Sequence, residues 1–172
     1  MTYSITSLTA APDDHEPLET MLHDYMSVML GKLAAIGGPE LASAHVLSGL
    51  WDDFDTYLPP HGRVLLAHDE AGTLIGCGFM RQVRPDAGEM KRLFVRKGAR
   101  GTGLGRRLVV ERIQAARAMG WTELLVDTVR GNTEMLKLYD SLGFKEIERY
   151  SENANDPSLA PYLTYLACDL RP

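Results

Sequence analysis

The stretch VRKGARGTGLGRRLVV, residues 95–110, decides the fold, because it packs four glycines and five basic residues between two regular elements. A β-type run, EMKRLFV (residues 89–95), leads into it, and apolar residues at helical spacing follow it. A glycine-rich turn between a strand and a helix exposes unpaired backbone N–H groups at the positive end of the helix dipole. We therefore predict that this turn binds a pyrophosphate or several phosphates.

Basic side chains around the turn support the same prediction. The chain has 172 residues and a formal net charge of −5, so a basic cluster has to be local. Seven residues form it: Lys91, Arg92, Arg96, Lys97, Arg100, Arg106 and Arg107. The plainer alternative is a tight connection whose arginines are a solvated face, and the phosphate interpretation is favoured over it.

The rest of the chain reads as one domain of mixed α/β structure. Hydrophobic periodicity and turn residues predict strands over residues 3–9, 63–69, 74–83, 89–95, 123–129, 144–150 and 162–170. Helices are predicted over residues 13–37, 39–58 and 132–142, and from the glycine-rich turn to Gly120. The two strands over residues 63–83 form a hairpin. A polar loop, SENANDPSLAP, precedes the last strand.

Composition argues against several classes of protein. The negative net charge disfavours non-specific binding to nucleic acid or to an anionic membrane. No run approaches the roughly 20 apolar residues that a membrane span needs, and acidic residues stand where a signal peptide would be apolar. We therefore expect a soluble, cytoplasmic protein.

Cysteine and histidine usage predicts neither a disulfide nor a metal site. Cys77 and Cys168 are far apart and match no redox or metal spacing, so we expect reduced, buried thiols. The histidines have no ligand spacing and imply no metal. They are His15, His23, His45, His61 and His68.

The glycine spacing separates the possible phosphate ligands. A dinucleotide fingerprint requires G-x-G-x-x-G, whereas Gly101, Gly103 and Gly105 give G-x-G-x-G and Arg106 occupies the third fingerprint position. No Gly-Lys-Ser/Thr follows, which excludes a Walker-type loop. The pattern Arg-x-x-Gly-x-Gly, formed by Arg100, Gly103 and Gly105, fits the pyrophosphate loop of acyl-coenzyme A transferases instead.

Residues 89–144 as a whole resemble the acetyl-CoA-binding half of GNAT superfamily N-acetyltransferases, from the central strand to the LYDSLGF signature. The preceding hairpin is also similar to that family. The resemblance implies an α+β sandwich with a mixed, mostly antiparallel sheet of about six or seven strands flanked by helices. It implies that residues 89–150 form the acetyl-CoA-binding core, and that the helical segment 13–58 lies on the acceptor side of a single domain spanning residues 1–172.

The resemblance also implies which residues hold acetyl-CoA. Backbone groups of Leu93, Phe94 and Val95 would pair with the pantetheine arm and polarise the thioester. The pyrophosphate would lie on the loop formed by Arg100, Gly101, Thr102, Gly103, Leu104, Gly105 and Arg106. Asn132 would contact the pantetheine, and it is also a natural helix N-cap.

Two residues are implied as catalytic. Tyr139 resembles the tyrosine that protonates the departing thiolate, although periodicity alone favours a core tyrosine. Glu89 resembles the glutamate that deprotonates the acceptor, often through a water, and the alternative is an exposed strand-end carboxylate. Asp127 and the cluster Asp52, Asp53 and Asp55 are weaker candidates for holding a cationic acceptor.

The expected function is direct transfer of an acetyl group from acetyl-CoA to an amine in a ternary complex. The amine could belong to a small molecule or a protein, and the chain could be a monomer or a homodimer. Two alternatives stay open: a non-catalytic acyl-CoA sensor or interaction module of the same fold, and a dinucleotide-binding oxidoreductase.

Overall fold

Seven strands form one mixed sheet in the computed structural model, which describes residues 2–42 and 49–171. The strand order is β1-β2-β3-β4-β5-β7-β6. Strands β4 and β5 pair in parallel, and the other neighbouring strands of this sheet pair antiparallel. The strands are β1 (Tyr3–Ser7), β2 (Gly62–Asp69), β3 (Leu74–Arg84), β4 (Ala87–Val95), β5 (Glu123–Val129), β6 (Lys145–Ile147) and β7 (Leu163–Asp169). This architecture confirms the predicted fold class.

Helices cover both faces of the sheet. They are α1 (Glu16–Ala35), α2 (Leu104–Ala118) and α3 (Thr133–Ser141). Leu125 of β5 packs with Leu33 of α1, whereas its neighbour Val126 packs with Val109 of α2. Successive strand residues point to opposite faces, so α1 lies on one face and α2 on the other. Within residues 2–42 and 49–171, no helix is long and apolar enough to span a membrane.

The predicted helix over residues 39–58 is wrong wherever the structure describes it. Residues 39–42 are not helical, and the only helical turn between 49 and 58 is a 3₁₀ turn at Phe54–Tyr57. The middle of that prediction, residues 43–48 with His45, lies outside the described residues. A single 3₁₀ turn suffices at Phe54–Tyr57 because its three-residue repeat directs both aromatic rings to the same side, where each packs edge-on against Phe79.

The other elements follow the sequence closely. The hairpin of β2 and β3 is confirmed, as is the strand over residues 123–129. The strand predicted over residues 144–150 is shorter and spans only Lys145–Ile147. The chain leaves the sheet there and carries Tyr150 to Glu89, with which its hydroxyl forms a hydrogen bond of 2.6 Å.

Candidate active site

A gap between β4 and β5 forms the centre of the site. The two parallel strands pair only from Ala87↔Glu123 to Met90↔Val126, so residues 91–95 have no partner strand on that edge in the described part of the chain. On the other edge β4 stays paired with β3, and Arg96 N–H donates to Ile75 O. Because strand residues alternate between edges, the backbone of Val95 faces the gap. Val95 therefore offers backbone hydrogen-bonding groups to a ligand there.

A β-bulge in β4 lies where the gap begins, and a buried arginine binds the strands around it. Two residues of β4, Arg92 and Leu93, lie opposite Gly78 of β3, and Arg92 has a φ of +51°. A bulge of this kind bends its strand away from the neighbouring one. Arg112 of α2 is fully buried beneath the bulge. Its guanidinium donates to Leu108 O and Phe79 O at 3.0 Å and to Lys91 O at 3.4 Å.

The glycine-rich turn lies at the open end of the gap and presents unpaired backbone donors there. Within the described ranges, no hydrogen bond uses the backbone N–H of residues 101–106 as its donor. Gly101 and Gly103 have φ values of +77° and +85°, and a Cβ at either would meet no atom within 4 Å. Gly103 is the N-cap of α2, so these free donors surround the positive end of that helix.

The basic cluster around the turn is smaller than predicted. Lys91 is directed away from the glycine-rich turn and is ion-paired with Glu89 and Asp127. Arg92 donates to the Tyr57 hydroxyl at 2.7 Å, and Arg96 is ion-paired with Asp24. The prediction was wrong for these three because each is held by a partner on another segment, and Lys91 also by Glu89 on its own strand. The exposed basic residues that remain at the turn are Lys97, Arg100, Arg106 and Arg107.

Two carboxylates share one ammonium on the α1 face of the sheet. Lys91 Nζ lies 2.8 Å from Glu89 Oε1 and 2.9 Å from Asp127 Oδ1. Glu89 has no exposed surface, so the alternative of an exposed strand-end carboxylate is wrong. Arg81 approaches its second oxygen at 3.4 Å. Asp127, the residue just beyond the last β4–β5 pair, keeps 12% of its side chain exposed.

The polar loop before β7 completes this carboxylate cluster. Tyr150 hydroxyl donates to Glu89 Oε1, and Asn153 Nδ2 donates to Asp127 Oδ1 at 3.0 Å. Asn155 Nδ2 donates to the other oxygen, Asp127 Oδ2, at 2.8 Å. Tyr150 and the loop that follows it thus bind both carboxylates through uncharged donors, and Glu89 is the carboxylate that is fully enclosed.

Burial and charge together set the ionisation of the cluster. Burial by itself would lower the pKa of Lys91, but Asp127 and Glu89 outweigh it and the pKa is raised above its ordinary range. Lys91 is therefore a firmly held ammonium. Burial, and then the Glu89 charge, raise the pKa of Tyr150, so its hydroxyl remains a hydrogen-bond donor.

Two tyrosines lie close to the site from opposite faces. Tyr139 of α3 is 3% exposed and packs against Phe144 at a ring distance of 5.2 Å, as the core alternative requires. Burial raises its pKa, while the charge of Arg112 works in the opposite direction. Tyr25 of α1 packs edge-on against Phe94 of β4. Burial, followed by the Asp127 charge, raises the pKa of Tyr25 to about 12.

Asn132 is bound within the protein. It occupies the N-cap position of α3, as predicted, but its side chain makes no capping hydrogen bond. Its Oδ1 accepts from Lys32 Nζ at 2.7 Å and its Nδ2 donates to Thr128 Oγ1 at 3.0 Å. The asparagine therefore links α1 to β5 across the site. Its amide oxygen can accept one more hydrogen bond, but Asn132 is only 3% exposed, so a pantetheine contact by this side chain would need its surroundings to move.

The cysteines and the aspartate cluster have no evident part in the chemistry of the site. Cys77 and Cys168 are buried and free, as predicted, and burial raises the pKa of Cys77 to about 12, which argues against a nucleophile. The aspartates at positions 52, 53 and 55 are exposed. Among the described residues, no group of three or more histidine, cysteine, aspartate or glutamate side chains is arranged to hold a metal ion.

Sequence reasoning missed the residues that surround the carboxylates. They are Tyr25, Arg81, Lys91, Tyr150, Asn153 and Asn155, and the bulge adds Arg112. One signal was available: Glu89 and Lys91 are charged residues two apart in a strand, so they share a face. The loop asparagines have no comparable signal.

Comparison with known proteins identifies the class to which this fold and site belong. The model of the acetyltransferase (GNAT) family matches residues 35–144, which is more than half of the chain. An uncharacterised N-acetyltransferase of Schizosaccharomyces pombe is 34% identical over 148 residues, covering 86% of each protein. An IAA acetyltransferase of Azospirillum brasilense is 37% identical over 107 residues, covering 61% of this chain and 69% of that protein. The chain belongs to the GNAT family and is an acetyltransferase, and members of that family use acetyl-CoA.

Solved structures share the same fold. A GNAT-family acetyltransferase from Staphylococcus aureus superposes with a TM-score of 0.77 at 16% identity, covering 98% of this chain and all of that one. A GNAT-family acetyltransferase from Elizabethkingia anophelis with acetyl-CoA bound superposes with a TM-score of 0.63 at 19% identity, covering 97% of each chain.

Proposed function

We propose that the protein transfers an acetyl group from acetyl-CoA to an amine by direct attack in a ternary complex. The observation that carries this proposal is the gap between β4 and β5. At its open end lies a turn with six backbone N–H groups, those of residues 101–106, that donate to no other described residue. Acetyl-CoA would supply the acetyl group as an activated thioester. Residues 89–150 would hold it, and residues 13–58 would line the acceptor side of the same domain.

The loop from Arg100 to Arg106 would bind the pyrophosphate with its backbone N–H groups and the dipole of α2. Leu93, Phe94 and Val95 would bind the pantetheine arm. Their N–H groups that face the gap would also stabilise the negative charge that develops on the acyl oxygen. Asn132, which lies between α1 and β5, would contact the arm from the other side.

Tyr139 would act as the general acid that gives its proton to the departing thiolate sulfur. Its raised pKa keeps that proton on the hydroxyl at physiological pH, so the group is ready to donate. Glu89 would contribute to deprotonation of the acceptor ammonium. Because its carboxylate has no exposed surface, it would do so through an intervening group.

Thermal unfolding with acetyl-CoA, coenzyme A and NADPH in parallel tests the proposal. A ligand present at about 100 times its dissociation constant adds roughly 2.7 kcal/mol to the free energy of unfolding. We expect both coenzyme A compounds to raise the midpoint and NADPH to leave it unchanged. Thiol release with a panel of primary amines then separates an enzyme from a non-catalytic sensor. A shift with NADPH alone would overturn the proposal.

Gly103→Ala tests the pyrophosphate turn, with Gly72→Ala as its matched control. Both glycines have a left-handed φ, +85° and +79°, and at both a Cβ would meet no protein atom within 4 Å. The backbone strain is therefore similar, at about 1–2 kcal/mol. Only the methyl group at Gly103 would lie beside the pyrophosphate. We expect it to weaken coenzyme A binding on the order of tenfold, about 1.4 kcal/mol by calorimetry. Equal affinity in the two variants would contradict this assignment of the turn.

A further inference from the structure

The two carboxylates of the cluster differ in what can reach them. Glu89 is completely enclosed, and its Oε1 accepts from the Tyr150 hydroxyl at 2.6 Å and from Lys91 Nζ at 2.8 Å. Asp127 retains 12% of its side-chain surface. Asp127 therefore keeps some surface that an acceptor amine can approach, whereas contact with Glu89 requires the residues around it to move.

Asp127 also lies at the point where the acceptor and the thioester would meet. It directly follows Val126, the last β5 residue paired with β4, so it lies at the apex of the gap. Its charge affects groups on both sides of the sheet. Burial is the largest cause of the raised pKa of Tyr25 on α1, and the Asp127 charge is the next. The same charge also contributes to the raised pKa of Tyr139 on α3.

One oxygen of Asp127 has room for another donor. Oδ1 already accepts from Lys91 Nζ and from Asn153 Nδ2. Oδ2 accepts from Asn155 Nδ2 at 2.8 Å and has no second partner among the described residues. A carboxylate oxygen accepts two hydrogen bonds, so Oδ2 can take one from an ammonium.

We propose that Asp127 contacts the acceptor amine and takes its proton, and that Glu89 and Lys91 are positioning residues behind it. This inference rests on the proposed function, and it makes Asp127 the intervening group through which Glu89 acts. One N–H bond of the ammonium breaks, an O–H bond forms on Asp127 Oδ2, and the nitrogen keeps the electron pair with which it attacks. Lys91 then remains paired with Glu89, so proton transfer leaves no buried cation without a partner.

Asp127→Asn and Glu89→Gln form a matched pair for the test. Each replaces one carboxylate by an amide of the same shape and leaves Lys91 paired with the other carboxylate. If the cluster were only structural, the two variants would lose similar activity. We expect Asp127→Asn to lower kcat/KM for the amine about 100-fold or more, and Glu89→Gln to lower it less than about tenfold. Coenzyme A affinity and the midpoint of unfolding identify any variant that has lost its fold.

The basicity of the acceptor supplies a readout that a structural defect would not change. A primary amine accepted by the wild-type enzyme is compared with its β,β-difluorinated analogue, which is less basic and largely neutral at the assay pH. Since a neutral amine does not have to lose a proton before it attacks, the defect of Asp127→Asn should shrink with the analogue. A defect of equal size with both amines, or near wild-type activity in Asp127→Asn, would overturn the inference and leave the proposed function intact. Failure of the wild-type enzyme to acetylate any amine would overturn both.

Discussion

Replacing Tyr139 by phenylalanine is expected to lower kcat about 100-fold or more, because a positioned general acid typically contributes 10²–10⁴ to the rate. The ring of Tyr139 packs against Phe144, and phenylalanine keeps that contact. Loss of the hydroxyl should change the free energy of unfolding by only about 1 kcal/mol. Steady-state thiol release measures kcat, and calorimetry should give an unchanged affinity for coenzyme A.

The pH dependence of kcat follows from the raised pKa of Tyr139. A general acid works in its protonated form, which is present below its pKa. Since burial raises that pKa above the ordinary value of 10.0, raising the pH towards 10 should not lower kcat through loss of this proton. Tyr3→Phe, on the edge strand β1, is the control. Full turnover of Tyr139→Phe at every pH would exclude the catalytic role and leave Tyr139 as a core residue.

The glycine-rich turn and its flanking elements could be predicted from sequence because they depend on neighbouring residues. Gly101 and Gly103 are needed for the local path of the chain, and the spacing of Arg100, Gly103 and Gly105 is itself the motif. Strand β5 has the predicted bounds because its seven residues form an uninterrupted, mostly buried run. In both cases the signal lies within about ten residues of the structure that it predicts.

The surroundings of Glu89 could not be predicted in this way. Tyr150 and Asn153 are more than sixty residues away along the chain and meet Glu89 only after the chain leaves β6. Lys91 was misassigned partly for the same reason, because one of its two carboxylate partners, Asp127, comes from the neighbouring strand. Arg112 likewise looks like an ordinary surface residue of an amphipathic helix in the sequence, because its carbonyl partners on β3 and β4 are distant along the chain. In the structure it is fully buried.

Gly88→Ala is expected to lower the free energy of unfolding by about 3 kcal/mol, the upper end of the usual range for an overpacked core. Gly88 pairs with Leu124 in the centre of the sheet, and the ring of Trp121 lies directly on it. A Cβ there would be 2.6 Å from Trp121 Cη2 and closer still to Cζ3. The indole is 5% exposed and packed in the core, so it has little room to move. For a chain of this size, the midpoint of thermal unfolding should fall by about 6–12 °C.

Gly31→Ala is the matched control, because the same added methyl group should have the opposite effect. Gly31 lies inside α1, and a Cβ there meets no atom within 4 Å. Alanine should therefore stabilise the protein by about 0.5–1 kcal/mol through its higher helix propensity.

A double-mutant cycle with Trp121→Leu then tests whether the indole is the cause of the Gly88→Ala defect. If the ring is responsible, Gly88→Ala should cost much less in the Trp121→Leu background than in the wild type. An unchanged cost would mean that the strain arises in the β4–β5 ladder itself. In that case Gly88 would be required for the backbone that carries Glu89 into the site.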